Sequence, residues 1–168
     1  MELTKIERII LINQYEILKR LDVKNSGDYD NYVKILTEGF TYLYSNIGEF
    51  ISDEVSEDKG AFVFEVLSLY RQIENFKHDN PDDKEISDHI YGVFQGFDGN
   101  NENEYYSFTN FVINDQNLFA EQKTYTNETD SFNSHSPMVG IYKKMISLWN
   151  EKGKKVNNRD DIISILNS

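Results

Sequence analysis

The sequence contains no cysteine, which excludes disulfides, thiolate nucleophiles and thiolate metal ligands. It has only three histidines, His78, His89 and His135, and none forms a recognised ligand pair. Glu85 and His89 would share a helix face, yet the HExxH spacing that places two imidazoles over one metal is missing, so no metal site is expected. No GxxxxGK[ST] loop and no GxGxxG turn is present, which removes those two classes of nucleotide site. No GxSxG elbow accompanies Ser134-His135-Ser136, so a serine triad has no scaffold there. The longest aliphatic run, Ile9-Ile10-Leu11-Ile12, is far short of the ~20 residues of a membrane span, and too short for a signal-peptide core. A cytoplasmic protein that does not enter a membrane is expected. Positive charge is also scarce. Against 29 acidic side chains stand 17 basic ones, and the net charge of -12 repels nucleic-acid phosphates and anionic lipid.

What is present points to one all-α domain over residues 1–168. Hydrophobic residues make up 39% and aromatics 14%, enough for one sizeable core in 168 residues. The mean hydropathy of -0.60 therefore reflects a surface rich in Asn, Asp, Glu and Lys. Thr4 followed by Glu7 is a capping box, and Ile6, Ile10, Ile17 and Leu21 then recur near the helical period, predicting a helix from Thr4 to Leu21. A second helix is expected from Asp28 through Ile47, with Gly39 inside it as a place of close packing. Ser56 caps a third, which ends before Asn80 and Pro81. Asp82 and Asp83 open a shorter one toward Val93, Gly96 breaks it, and Asn100 or Asn101 starts the next.

From Asn114 to His135 no period holds, which predicts an irregular excursion with a short strand at Lys123 to Thr126. Asn127-Glu128-Thr129 fits a glycosylation acceptor and is read as chance. Ser136 and Pro137 read as the cap and first turn of a helix carrying Met138, Tyr142, Met145 and Trp149, and Asn157 or Asn158 caps a last one. The sum is a bundle of six or seven helices with one irregular loop region.

Several residues in this frame resemble a known family. Gln14-Tyr15 with Leu21-Asp22, Gly96-Phe97-Asp98, Phe111 with Asn114, Phe132-Asn133, and Pro137-Met138 followed by Tyr142, Met145 and Trp149 resemble the YfbU-like family in order and spacing. The match runs over essentially the whole chain and is weakest from Phe76 to Ile90. The resemblance implies a helical, cytoplasmic, bacterial protein. It implies no activity, cofactor or catalytic residue.

The remaining candidates come from the residues themselves. Asn13 falls on the apolar stripe of the first helix, where a buried amide sets helix register or subunit pairing, and Gln14 and Tyr15 beside it could line a ligand pocket. Phe97, Asp98, Asn133, His135 and Trp149 join aromatic walls to polar groups near breaks between helices, with core packing the simpler role for Trp149. Asp98, Asn100, Glu102 and Glu104 alternate like calcium-loop ligands, but Gly99 stands too early and Thr109 replaces the closing glutamate. Lys143, Lys144, Lys152, Lys154, Lys155 and Arg159 crowd the C-terminal stretch as a solvated helix end or a docking surface for an acidic partner. The functional expectation is a cytoplasmic homo-oligomeric binding or regulatory module with no cofactor and no catalytic residue, with its own copies as partner and room for an unidentified protein partner. The alternative is an enzyme of unrecognised type, a hydrolase using Asp98 or His135 beside a small-molecule pocket.

Overall fold

Helix starts marked by a local cap form as the sequence dictates. In a computed structural model, which describes residues 2–49, 51–125 and 131–168, Thr4 Oγ1 accepts the Glu7 amide and the Glu7 carboxylate accepts the Thr4 amide at 2.7 Å. The Thr4 hydroxyl and then the Thr4 amide, both donating to the Glu7 carboxylate, hold it below its ordinary pKa, and the reciprocal pair opens helix α1, Lys5–Leu21. Ser56 opens α4, Glu57–Asp79, and Asn158 opens α8, Arg159–Leu166, each by accepting an amide three residues on. The chain is all-α. Among the described residues there are eight α-helices, two of them single turns, and the extended pairing is one isolated bridge. No helix among these residues is long and apolar enough to cross a membrane.

The chain divides into two compact units, Met1–Glu54 and Val55–Ser168. In the first, α1 packs against α2, Ser26–Glu38, and a single turn α3, Tyr44–Ile47, follows. Leu36, Tyr44 and Ile47 are buried here, with Leu3, Leu11, Ile12, Tyr15, Tyr32 and Ile35 packed against them. The expected long second helix is interrupted. Gly39 adopts φ 72°, the left-handed conformation of a helix C-terminus, so it ends α2 instead of lying within it. Arg8 reinforces that end: its Nε donates to the Leu36 carbonyl at 2.7 Å and its Nη2 to the Thr37 carbonyl at 2.9 Å.

The second unit is organised on α4, whose Val63, Val66, Leu67, Tyr70 and Ile73 share one buried face. Helices α6, Asn103–Asn110, and α7, Val139–Glu151, pack on it, and α8 packs on α7. The core is aromatic at its centre, with the Tyr142 ring 5.3 Å from Phe97, 5.8 Å from Tyr70 and 5.9 Å from Phe94. Burial raises the pKa of both tyrosine hydroxyls, and each has a backbone partner: Tyr70 donates to the Tyr91 carbonyl and Tyr142 accepts the Gln95 amide.

Three local expectations fail in this unit. The helix opened by Asp83 closes after one turn as α5, Lys84–Ser87, because the chain turns back there and Gly92 donates to the His89 carbonyl. The expected strand at Lys123 is a 3-10 helix, Ala120–Tyr125, while Thr126 and the Asn127-Glu128-Thr129 acceptor lie outside the described residues. Ser136 does not cap α7. Its first helical residue is Val139, and the cap comes from elsewhere.

Candidate functional site

The face of α1 read as buried is in fact its outer face. At about 100° per residue, Ile6, Ile10, Asn13, Ile17 and Leu21 fall within roughly an 80° arc, and Arg8, Leu11, Ile12 and Tyr15 fall opposite. Only the second set faces the core. Ile6 is 72% exposed, Ile10 51%, Ile17 59% and Leu21 77%, and Ile9, Leu18 and Val23 are exposed beside them. Asn13 and Gln14 are exposed too, so Asn13 is not the buried amide expected. Tyr15 is half-buried, packed 5.2 Å from the Tyr32 ring and 6.0 Å from Tyr29, and burial raises its pKa. The helix thus carries two apolar stripes on opposite sides, and periodicity alone cannot say which one faces the chain's own core.

In the second unit the structure brings four candidates together across 34 or more residues of sequence. Phe97 and Asn133 form the isolated bridge, in which the Phe97 amide donates to the Phe132 carbonyl at 3.0 Å and the Ser134 amide to the Phe97 carbonyl at 3.1 Å. Asn133 Oδ1 then accepts the amides of Gly99 and His135, at 3.0 and 3.1 Å. Gly96 makes the approach possible: its φ is +83°, and a Cβ there would stand 1.8 Å from the Phe132 carbonyl oxygen. On the other side of the bridge Ser131, Phe132 and His135 hold left-handed backbone without being glycine, a local strain that the bridge must offset.

Asp98 and Glu102 lie beneath this junction, 2% and 9% exposed. Asp98 Oδ2 accepts the Asn101 side-chain amide at 2.6 Å and Oδ1 the Asn100 backbone amide at 2.9 Å. These donors lower its pKa against the opposing effect of desolvation, with a smaller pull from His135. A carboxylate held this way is a weak base. Glu102, which sequence reasoning noticed only as part of a broken calcium pattern, is the cap missing from α7. Its Oε2 accepts the Met138 amide at 2.9 Å and the Asp98 amide at 3.1 Å, and its Oε1 accepts the Val139 amide at 2.8 Å. Both oxygens of Glu102 are therefore turned onto backbone amides, and Glu104 pairs with Lys59.

Trp149 stands apart from this junction, 3% exposed in the core, with the Lys154 ammonium 6.0 Å from its ring centre. Two surface cavities of the second unit are lined by other residues. One of about 450 Å³ is lined by Phe76, Asp79 to Asp83 and Arg159, and another of about 440 Å³ is bordered by Glu74, Lys77, His78, Ser87 and Glu121. Of the basic C-terminal cluster, Lys152 pairs with Asp161 at 2.7 Å, Lys154 with Glu65, and Arg159 with Asp83 and Glu85. Half of that cluster is committed to the chain's own acids.

Two comparisons agree on kinship. A family model described as the YfbU domain matches residues 1–168. A UPF0304 protein of Methanocaldococcus jannaschii is 46% identical over 169 residues, spanning 99% of this chain and 99% of that one. That relative is archaeal, so the bacterial origin implied by the resemblance gains no support from it.

Proposed function

Because the chain belongs to the YfbU family across residues 1–168, we propose that it is a homo-oligomeric binding or regulatory module of the cytoplasm with no chemistry of its own. The two compact units are read as parts of one family domain, since the family match spans both. The observation that carries the reading is the outer face of α1. Ile6, Ile9, Ile10, Ile17 and Leu21 are each more than half exposed along one helix. A contiguous apolar strip of this kind marks an interaction surface, because each aliphatic side chain gains about 1.5 to 3 kcal/mol on full burial. The cysteine-free composition is compatible with the cytoplasmic assignment. A hydrolytic role for Asp98 or His135 has less behind it, since the Asp98 carboxylate is occupied by Asn100 and Asn101.

The test is the mass of the native protein in solution. Native mass spectrometry at micromolar concentration is expected to give a homo-oligomer. The variant carrying Ile10→Lys and Ile17→Lys is expected to be monomeric with unchanged helix content, because both positions are exposed within the single chain. A native chain that stays monomeric across the micromolar range sinks the reading.

A further inference from the structure

The outer stripe of α1 is symmetric about its centre, and the symmetry specifies how two copies would meet. Ile10 and Ile17 lie three residues before and four after Asn13, while Ile6 and Leu21 lie seven before and eight after. The midpoint falls between Asn13 and Gln14. We propose that α1 pairs with α1 of a second copy in antiparallel orientation about a two-fold axis at Asn13 and Gln14, with Ile10 facing Ile17 and Ile6 facing Leu21 of the other copy. This rests on the self-association reading above and assigns its geometry.

Three observations favour this occupant and this direction. The first is area. The five most exposed aliphatic side chains of α1, Ile6, Ile9, Ile10, Ile17 and Leu21, offer roughly 300 Å² of apolar surface at about 100 Å² each when fully exposed. Two copies reach roughly 600 Å² of apolar area, which at the usual apolar share of about 57% corresponds to the ~1,000 Å² of a specific interface.

The second is charge. Arg20 lies at the edge of the stripe and Lys24 just beyond the helix, both exposed, whereas exposed Glu2 and Glu7 lie at the opposite end. Parallel pairing would set each Arg20 and Lys24 beside its own copy. Antiparallel pairing separates the two Arg20 side chains by about 20 Å along the axis and opposes the helix dipoles.

The third is Asn13 itself. In an otherwise aliphatic stripe, one amide is a poor surface for a lipid or an unrelated apolar groove. Against its own copy at a two-fold axis it has a matching donor and acceptor, and a single polar residue in such a seam fixes register.

The cysteine-free sequence allows a direct test on the full-length protein. Asn13→Cys is expected to give a disulfide-linked dimer under mild oxidation. Ile6→Cys and Leu21→Cys are each expected to stay unlinked alone, because 15 residues of helix hold the two copies of either site about 22 Å apart. Co-expressed, these two variants are expected to link to each other. Self-linking of Ile6→Cys overturns the antiparallel geometry in favour of a parallel one. Native mass spectrometry of the same samples separates the remaining outcomes. An oligomer in which no pair links overturns α1 as the interface, and a monomer overturns self-association itself.

Discussion

The Glu102 carboxylate receives the Met138 amide at 2.9 Å, closing the start of a helix 36 residues further along the chain. With Val139 donating to its other oxygen, one acidic side chain satisfies two of the amides that a helix N-terminus leaves unpaired, and its charge lies at the favourable end of the helix dipole. Glu102→Gln keeps the shape but removes the charge and one acceptor. The variant is expected to lose about 2 kcal/mol of stability, within the range for hydrogen bonds to charged groups. Urea unfolding monitored at Trp149 measures it, and a loss below about 0.5 kcal/mol would show that the contact is incidental.

Gly96→Ala tests the bridge. The substitution forces a side chain into left-handed backbone and places Cβ 1.8 Å from the Phe132 carbonyl oxygen, a backbone atom that cannot swing aside. A loss of at least about 3 kcal/mol is expected, or failure of the second unit to fold. Gly140→Ala is the control, because nothing lies within 4 Å of its Cβ position in α7. Its effect is expected to be a gain of about 0.5 to 1 kcal/mol, so opposite changes in melting temperature are the diagnostic result.

Acid should loosen the same junction. The Asp98 carboxyl is lowered in the folded chain by Asn101 and Asn100, so its contribution is full above the unfolded value near pH 4 and is lost as pH falls through the folded value. Asp83 and Asp161, lowered by Arg159 and Lys152, act in the same direction. Asp98→Asn is expected to be less stable than the native chain at pH 7 and to show a shallower decline below pH 4. An unchanged acid limb in thermal melts would remove Asp98 from the account.

The end of α2 offers a test confined to the first unit. Arg8→Ala removes two donors from the Leu36 and Thr37 carbonyls and a cation from the negative end of the helix dipole. A local loss of about 1 to 2 kcal/mol follows, read as roughly tenfold faster hydrogen exchange at the amides of Gly39 and Phe40, both bonded to the Ile35 carbonyl. Unchanged exchange there would mean that Gly39 alone terminates the helix.

Where sequence reading succeeded and failed follows from the range of the contacts involved. Thr4, Ser56 and Asn158 cap helices through amides three residues away, so the starts of α1, α4 and α8 could be read directly. The start of α7 could not, because its cap is Glu102, and a lone acid destined for burial has no local signature. Ser136-Pro137 looked like a helix start on local grounds and lies two residues outside it. The same reasoning explains the candidate site. Phe97, Asp98, Asn133 and His135 were identifiable as polar and aromatic groups near breaks, but their convergence depends on a bridge spanning 36 residues. On α1 the period correctly predicted a helix and an apolar face, and the core uses the other face.

Trp149, placed in the core of the second unit, is the single tryptophan of the chain. Its emission therefore follows one unit only, shifting to longer wavelength when that core admits water, while far-ultraviolet circular dichroism sums the helices of both. The protein carries its own differential thermometer. Coincident melting curves from the two signals would mean that the units unfold as one cooperative body, whereas a dichroism change preceding or outlasting the fluorescence shift would give Met1–Glu54 a transition of its own.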